Sequence, residues 1–495
     1  MEWSREMRYR QMENVSKEEW KQLNDQVSSC PWRQTYHVQP PTGLLNDPNG
    51  FAYYNGEYHL FYQWFPLGPI HGLKHWYHTS SIDLVNWKDR GTAIFPDTDL
   101  DSHGAYSGSG IVHEDKLYLF YTGNSRDASW NRHSYQCLAV MDKNGSIMKQ
   151  EQAVIPGPPD GYTEHFRDPK VWEENGSYFM VIGAQRKNKT GAALLYTSTD
   201  MLDWKFRNEI NTSYNTFGYM WECPDYFELQ NNGILIFSPQ GIEAEGDNFR
   251  NIYQSGYLLG HKLNKETGEF SHEEFAELDF GFDFYAPQTS VTPDGRRILV
   301  GWMGLPDLSY PTDKHMWAHC LTLPRELTIH NNKLLQKPAE ELRLLRQSKK
   351  TTSLLLDNQM LPLYTWEDSA YELDVRIEGI EAGMAGISFC AGETEKTMFY
   401  YDADRQKLVL DRSLSGEPAS PEFGTTRSVP YDEKNVNIRM FVDTSSVEIF
   451  INKGEAVFTS RLFPSPDSKG IQLFSHIGEA AFYITKWSLK SINKE

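Results

Sequence analysis

The segment LLNDPNGFAYYNGEYHLFYQ at residues 44–63 combines a Gly/Pro-rich acidic motif with the pattern of a β-hairpin. Asn55 and Gly56 stand between two aromatic and apolar runs, and an Asn-Gly pair in that position is a strong hairpin signal. A turn signal followed by an apolar run recurs at 114–121 and 175–182. Such hairpins, without a long helical pattern, predict radial repetition of small antiparallel sheets across residues 35–340.

A weak internal repeat supports this prediction. The segment SIDLVNW at 81–87 matches STDMLDW at 198–204, with an offset of 117 residues. Two copies cannot define a repeat period, so the number of sheets is not predicted from them.

The flanking regions have different patterns. Ser16 followed by Glu19 is a capping-box pattern, which predicts a helix near the N-terminus. Residues 325–350 are charged and rich in leucine, and we interpret them as a linker with one or two helical turns. Alternating strands from residue 352 onward predict a β-sandwich. A chain of 495 residues exceeds most single cores, so we predict an all-β protein with an N-terminal helical extension at 1–34, a main domain at 35–340 and a sandwich domain at 350–495.

The composition narrows the partners and the compartment. The formal charge of −19 makes nucleic acid and anionic membranes unfavourable partners. No apolar run approaches the length of a membrane span, and we see no signal peptide after the charged first residues. The 5 cysteines are scattered, without a CxxC pair. We therefore expect a cytoplasmic protein with no disulfide framework and no zinc or other metal site.

Three carboxylates stand in short motifs bounded by proline: Asp47 in Asn-Asp-Pro-Asn-Gly, Asp168 in Arg-Asp-Pro and Glu222 in Glu-Cys-Pro. Carboxylates that share one cleft are the working groups of a glycosidase, although each motif alone is typical of a turn. Strands that point at a common axis would bring the three together.

The residues around each carboxylate suggest its role. Asp47 is predicted in a tight polar turn whose backbone N–H groups favour an ionised nucleophile. Glu222 has largely apolar neighbours, and partial burial would raise its pKa as a general acid requires. Arg167 could bind a sugar hydroxyl or keep the adjacent Asp168 ionised.

These three motifs, in this order and at these spacings, resemble the signature motifs of glycoside hydrolase family 32, the invertase and fructanase family. Further segments from about residue 35 to the C-terminus resemble the family as well. They are Phe-Tyr-Gln at 61–63, Tyr-Ser-Gly-Ser at 106–109, Phe-Tyr-Ala-Pro-Gln at 284–288, Gly-Trp-Met at 301–303, Leu-Thr-Leu-Pro-Arg at 321–325 and Val-Glu-Ile-Phe at 447–450.

The resemblance implies a five-bladed β-propeller followed by a β-sandwich, and a retaining mechanism that needs no cofactor. It implies Asp47 as the nucleophile, Glu222 as the general acid/base and Asp168 as the stabiliser of the transition state. Retention requires that the first two carboxyl groups lie roughly 5–5.5 Å apart. The substrate-binding positions that follow from the resemblance are Leu44, Leu45, Asn46, Gln63, Tyr106, Ser107, Arg167, Tyr285 and Trp302.

The chain departs from the family pattern in two places. Gly-Leu-Leu at 43–45 replaces the Gly-Trp-Met that many members carry before the Asn-Asp, which could alter the rim of the pocket. Invertases often carry Trp-Gly-His where this chain has Lys-His-Trp-Tyr-His at 74–78.

The family leaves sucrose, fructans and sucrose 6-phosphate as possible substrates. The predicted cytoplasmic location and the similarity to members that cleave phosphorylated sucrose favour the sugar phosphate. A dianionic substrate needs local positive charge in an acidic protein, and Lys74, Arg126 and Arg132 are the candidates to bind its phosphate.

Three alternatives are kept. The chain could be a β-fructofuranosidase that acts on sucrose or fructans, or a propeller glycosidase that inverts the anomeric configuration. It could also be a non-catalytic carbohydrate-binding propeller protein. A homodimer is possible, and the sequence does not determine the oligomeric state.

Overall fold

The computed structural model describes residues 3–492, which form strands with few helices. Residues 1–2 and 493–495, the outer ends of the predicted extension and sandwich, lie outside the described residues. The helices are α1 (Arg5–Arg8), α2 (Lys17–Ser28) and four 3-10 turns at Met12–Asn14, Pro311–His315, Glu340–Leu345 and Pro421–Phe423. The predicted capping box is present at α2, where Ser16 accepts from the Glu19 N–H and Glu19 accepts from the Ser16 N–H. No helix within residues 3–492 is long and apolar enough to cross a membrane.

Five antiparallel sheets follow one another along residues 43–338. The first contains β1 (Gly43–Tyr54), β2 (Glu57–Phe65), β3 (His75–Ser81), β4 (Lys88–Ile94) and, in parallel with β1, β19 (Trp317–Ala318). The second contains β5 (Ala105–His113), β6 (Lys116–Arg126), β7 (Arg132–Met141) and β8 (Ile147–Lys149). The third contains β9 (Tyr162–Glu174), β10 (Ser177–Arg186), β11 (Gly191–Ser198) and β12 (Lys205–Glu209).

The fourth sheet contains β13 (Met220–Leu229), β14 (Asn232–Gln240), β15 (Gly256–Gly260) and β16 (Ala276–Glu277). The fifth contains β17 (Tyr285–Val291), β18 (Arg297–Met303), β20 (Cys320–Leu321), β21 (Arg325–His330) and β22 (Lys333–Pro338). The predicted hairpins are confirmed, and the turn between β1 and β2 has positive φ at both central residues, 50° at Asn55 and 85° at Gly56. Such a turn matches the right-handed twist of the strands that it joins.

The first strands of the five sheets surround a common axis. β1 contacts β5, β5 contacts β9, β9 contacts β13, β13 contacts β17, and β17 returns to β1. Buried side chains link the sheets across this axis, for example Gln288, which accepts from the Phe51 N–H and donates to the Gly108 carbonyl. The predicted all-β propeller followed by a sandwich is confirmed. Five blades stay a proposal, which the five sheets support.

Two six-stranded sheets form the sandwich. One contains β23 (Arg346–Asp357), β34 (Glu479–Leu489), β25 (Tyr371–Glu378), β30 (Val436–Asp443), β31 (Ser446–Ile451) and β32 (Ala456–Arg461). The other contains β24 (Met360–Pro362), β33 (Gly470–His476), β26 (Met384–Ala391), β27 (Lys396–Asp402), β28 (Lys407–Leu414) and β29 (Thr426–Pro430). Apolar side chains of both sheets fill the space between them.

The prediction of a linker at 325–350 is wrong for most of that stretch. Its first half forms β21 and β22, and only Glu340–Leu345 makes the predicted helical turn. The charge pattern misled the prediction because Arg325 is fully buried rather than exposed. Its guanidinium bonds Asp279 at 3.0 Å and Glu448 of the sandwich at 2.7 Å.

His37 belongs to the same buried contact between propeller and sandwich. Its two ring nitrogens lie 2.8 Å from Asp443 and 3.2 Å from Glu448. Burial opposes the charge of His37, but the hydrogen bonds to both carboxylates outweigh it and raise the pKa to about 8. Folding therefore favours the protonated ring.

We expect His37→Gln to lower the free energy of unfolding by about 3 kcal/mol at pH 6, because it leaves the buried Asp443 carboxylate without its cation and leaves Glu448 with Arg325 alone. The proton bound by folded His37 stabilises the protein fully below the ordinary histidine pKa. That contribution is lost as the pH rises through about 8. Urea unfolding of both proteins at pH 6 and pH 9 should show a smaller deficit at pH 9. Equal deficits would contradict the charge argument.

Candidate active site

Asp47 lies inside strand β1 rather than in the predicted tight turn. The pairing of β1 with β2 shifts between Leu45 and Pro48 and again between Asn49 and Ala52. The turn-forming residues therefore bend a continuous strand at bulges. Pro48 is tolerated there because a bulge does not require every N–H to join the ladder.

A similar bulge occurs in the first strand of every propeller sheet. A bulge changes the direction of a side chain locally, and here all five lie near the axis. The pairing shifts fall at 45–48 in β1, 105–108 in β5, 167–170 in β9, 222–225 in β13 and 285–288 in β17. Residues before the proline of three bulges have positive φ: 66° at Asp168, 48° at Cys223 and 47° at Ala286.

These bulges reveal a period that the sequence reasoning missed. Pro48, Gly108, Pro169, Pro224 and Pro287 recur at intervals between 55 and 63 residues. The 117-residue repeat spans two sheets, because residues 81–87 connect β3 to β4 and residues 198–204 connect β11 to β12. A search for Pro or Gly positions that recur at intervals of 55 to 63 residues would have found the repeat of one sheet.

The bulges open onto a cavity of about 350 Å³. Its walls are polar and strongly charged. The lining residues are Arg8, Tyr9, Asn46, Asp47, Gln63, His71, Gly72, Lys74, Tyr106, Arg126, Arg132, Arg167, Asp168, Glu222, Gln240, Tyr285, Trp302, Pro306 and Asp307. All three predicted carboxylates therefore line one cavity.

Asp47 is held by side-chain donors rather than by the backbone N–H groups that we predicted. Its carboxylate accepts from Asn46 at 3.0 Å, from Gln63 at 3.2 Å and from the Ser107 hydroxyl. Burial raises the pKa of Asp47 above its usual range, the Ser107 hydrogen bond opposes this shift, and repulsion from Glu222 adds to it. These donors fix the orientation of the carboxylate toward the cavity.

Glu222 has a polar rather than an apolar environment, which corrects the sequence interpretation. The Arg167 guanidinium donates to Oε1 at 2.9 Å and 2.6 Å, Gln240 donates to Oε2 at 2.9 Å, and the Tyr285 hydroxyl donates to Oε2 at 2.7 Å. Arg167 thus pairs with Glu222, and it also attracts the adjacent Asp168, as the sequence suggested.

Asp168 is buried beside the other two carboxylates and accepts from the Cys223 N–H at 3.0 Å. Burial raises its pKa to about 7, attraction to Arg167 opposes the shift, and repulsion from Glu222 and Asp47 adds to it. Near neutral pH, Asp168 is therefore present in both its protonated and its ionised form.

The other predicted substrate-binding residues divide into three groups. Asn46, Gln63, Tyr106, Arg167, Tyr285 and Trp302 line the cavity. Ser107 is buried behind Asp47 and acts on its carboxylate. Leu44 and Leu45 belong to two apolar clusters and are not among the residues that line the cavity, although Leu45 packs in one cluster with Tyr285 and Trp302.

The phosphate candidates also separate. Lys74 is buried, and its Nζ donates to Asn46 Oδ1 at 2.5 Å. Burial lowers the pKa of Lys74 to about 7, and the attraction of the Asp47 carboxylate opposes this shift. The charge of this lysine therefore acts on Asp47. Arg126 and Arg132 line the cavity without such a link to Asp47.

Sequence reasoning missed several cavity residues, namely Arg8, Tyr9, His71, Gly72, Gln240, Pro306 and Asp307. They come from turns, a strand end and the N-terminal extension, which carry no motif of their own. Asp47, Asp168 and Cys223 also offer ligand atoms within 4.8 Å of one another, a spacing that a cation could bridge. The sequence had suggested no metal-ligand cluster because these three residues are far apart along the chain.

Comparisons with known proteins find similarity along almost the whole chain. The model of the glycosyl hydrolases family 32 N-terminal domain matches residues 37–338, and the model of the family 32 C terminal matches residues 335–491. A sucrose-6-phosphate hydrolase of Staphylococcus xylosus is 48% identical over 490 residues, which cover 99% of each chain. One of Bacillus subtilis (strain 168) is 42% identical over 492 residues, which cover 98% of each. The solved structure of sucrose-6-phosphate hydrolase from Lactobacillus gasseri superposes with a TM-score of 0.93 at 38% identity, over 99% of this chain and 100% of that one.

Proposed function

The chain belongs to glycosyl hydrolase family 32, and from this membership and its cavity we propose that it hydrolyses sucrose 6-phosphate to fructose and glucose 6-phosphate. It is a β-fructofuranosidase, an O-glycosyl hydrolase. The observation that carries the proposal is a single cavity that is lined both by three carboxylates and by arginines without acidic partners.

The carboxylates support a double displacement. Asp47 attacks the anomeric carbon of the fructosyl unit while Glu222 protonates the glycosidic oxygen, so glucose 6-phosphate leaves and a fructosyl ester forms on Asp47. Glu222 then takes a proton from water, whose oxygen attacks the anomeric carbon, breaks its bond to Asp47 and releases fructose. Asp168 accepts hydrogen bonds from fructosyl hydroxyls. The separation of roughly 5–5.5 Å between the nucleophile and the acid, and hence retention, stays a prediction.

Arg167 takes a role that the sequence did not suggest. Its two bonds to Glu222 Oε1 hold that carboxyl group in one orientation, while Gln240 and Tyr285 hold Oε2. Lys74 acts similarly on Asn46, which in turn donates to Asp47. We therefore assign Lys74 to the positioning of the nucleophile rather than to the phosphate.

Arg126 and Arg132 are the groups that support a phosphorylated substrate. Within residues 3–492, neither guanidinium is within 4.0 Å of a carboxylate oxygen. Arg126 donates only to the Trp130 carbonyl at 3.4 Å, and Arg132 contacts His165 at 3.3 Å. Burial and four nearby basic residues lower the pKa of His165 to about 3, so this histidine remains neutral and does not balance the charge of Arg132.

The enzyme should prefer sucrose 6-phosphate over sucrose by roughly 100-fold or more in kcat/KM, since two charged hydrogen bonds contribute about 3 kcal/mol together. Steady-state kinetics with sucrose 6-phosphate, sucrose and inulin measures the ratio. Arg132→Gln should reduce the ratio of the kcat/KM values for the two sugars about tenfold. Arg343→Gln, at an exposed arginine between the two domains, should leave it unchanged. Equal kcat/KM values for the two sugars would instead favour a β-fructofuranosidase that acts on sucrose.

The location and assembly of the protein are further proposals. Four of its 5 cysteines are buried and all 5 are free, which suits a reducing cytoplasm, where a phosphorylated sugar is also expected. The homodimer stays a prediction, and size-exclusion chromatography with light scattering would decide it.

A further inference from the structure

Three arginines without acidic partners line the same cavity. Arg126 and Arg132 flank the loop between β6 and β7, whereas Arg8 comes from the N-terminal extension. In the part of the chain that the structure describes, none of the three is within 4.0 Å of a carboxylate oxygen. We call Arg8, Arg126 and Arg132 the arginine cluster. The positive charge of this cluster would be balanced by an anionic ligand that enters the cavity.

Tyr9 lies among these three guanidiniums. Burial and the neighbouring Tyr106 raise the pKa of the Tyr9 hydroxyl, and the positive charges of the arginine cluster oppose the shift. Tyr9 therefore stays a neutral hydrogen-bond donor at the pH of the cytoplasm. Among the described residues, no group accepts a hydrogen bond from it.

Two other donors or acceptors on this side of the cavity lack partners. The Arg126 Nε and the His71 Nε2 are both buried without a hydrogen bond among the described residues. Burying such a nitrogen without an acceptor is unfavourable unless a ligand completes the site. A phosphate group offers three acceptor oxygens and two negative charges, which fits this set of donors.

The extension is anchored so that Arg8 reaches the cavity in a defined position. Trp3 packs edge-on against Phe65, with ring centroids 6.1 Å apart. The Leu73 N–H donates to the Arg8 carbonyl at 2.7 Å, and the Arg8 guanidinium donates to the His71 carbonyl at 3.2 Å. Arg8 Nη2 has no hydrogen bond among the described residues.

The extension also contacts the loop that carries the other two arginines. The Arg5 guanidinium stacks over the Trp130 ring at 4.0 Å, and Tyr9 meets the same ring edge-on at 5.5 Å. Arg126 donates to the Trp130 carbonyl. Trp130 thus joins the extension to the β6–β7 loop, and the two segments form one wall of the cavity.

We propose that the N-terminal segment at 3–9 is part of the substrate site, and that Arg8 is a specificity-determining residue that binds the phosphate of the leaving sugar together with Arg126 and Arg132. This inference rests on the proposed function, because it needs a phosphorylated substrate. It extends that function by assigning a recognition role to the extension, which lies outside the sheets that carry the catalytic groups.

The test compares Arg8→Ala, Arg8→Lys and Arg10→Ala in the full-length protein. Arg10 is a matched control, since it lies two residues away and pairs with Glu19 instead of lining the cavity. We expect Arg8→Ala to lower kcat/KM for sucrose 6-phosphate roughly 10- to 100-fold and kcat/KM for sucrose less than twofold. Arg8→Lys should recover part of the loss because the charge remains. Inhibition by glucose 6-phosphate should weaken in parallel, whereas inhibition by glucose should not change.

The outcomes separate the inference from the proposed function. Equal losses on both sugars would mean that Arg8 only supports the wall, and no loss on either would mean that it does not meet the phosphate. Both results overturn the inference and leave the proposed function intact. If the wild-type enzyme itself does not prefer sucrose 6-phosphate, the proposed function fails, and the inference fails with it.

Discussion

Asp47→Asn should abolish turnover of sucrose 6-phosphate, with kcat reduced on the order of 10⁵-fold, as expected when the nucleophile of a covalent mechanism is removed. The amide has nearly the shape of the carboxylate but cannot form the fructosyl ester. Substrate binding, measured by calorimetry, should persist because the arginines and the Glu222 network are untouched. Retained turnover would show that Asp47 is not the nucleophile and would support the inverting alternative, whereas a wild-type protein without turnover would support the non-catalytic one.

The same substitution should raise rather than lower thermal stability. Burial and repulsion from Glu222 raise the pKa of Asp47, so its ionised form is a cost to the folded protein at neutral pH. Replacing it with a neutral amide removes that cost, as is common for residues that serve function at the expense of stability. Asp25→Asn, at an exposed position of α2, controls for the chemistry of the change and should affect neither activity nor Tm.

Glu222→Gln should lower kcat for sucrose 6-phosphate roughly 10²- to 10⁴-fold, because the leaving oxygen no longer receives a proton. The loss should be much smaller with an activated donor such as fructosyl fluoride, whose leaving group needs no acid. Water attack is also slowed in this variant, so a fructosyl group should accumulate on Asp47. Mass spectrometry of the acid-quenched protein would detect it and confirm a retaining mechanism.

A substitution at Arg167 tests the orientation of Glu222 separately from its role as the acid. Arg167→Lys keeps a positive charge but loses the paired hydrogen bonds to Oε1 of Glu222. It should therefore reduce kcat by similar factors for sucrose 6-phosphate and for fructosyl fluoride. If Glu222→Gln reduced the rates of both donors equally, Glu222 would bind the substrate rather than act as its acid.

The sequence predicted the fold from local signals that depend on few residues. Asn55-Gly56 adopts the two positive φ values that a tight hairpin requires, so its turn follows from the residue types themselves. The linker prediction failed at Arg325 because a buried guanidinium and a solvent-exposed one are identical in sequence. Only the carboxylates of Asp279 and Glu448, brought from distant segments, make its burial possible.

For the active site, too, some features follow from the sequence and others only from the tertiary structure. The sequence by itself determined which three carboxylates matter, because Asp47, Asp168 and Glu222 stand in motifs that resemble one family. Only the tertiary structure decided which side chains surround them: Arg167 donates hydrogen bonds to Glu222, and Ser107 donates to Asp47. It also brought Arg8 into the cavity that Arg126 and Arg132 line. Charges interact through space over a few ångströms, whereas the chain separates these partners by up to 124 positions. Their pairing therefore depends on how the bulged strands meet at the axis, which no single segment encodes.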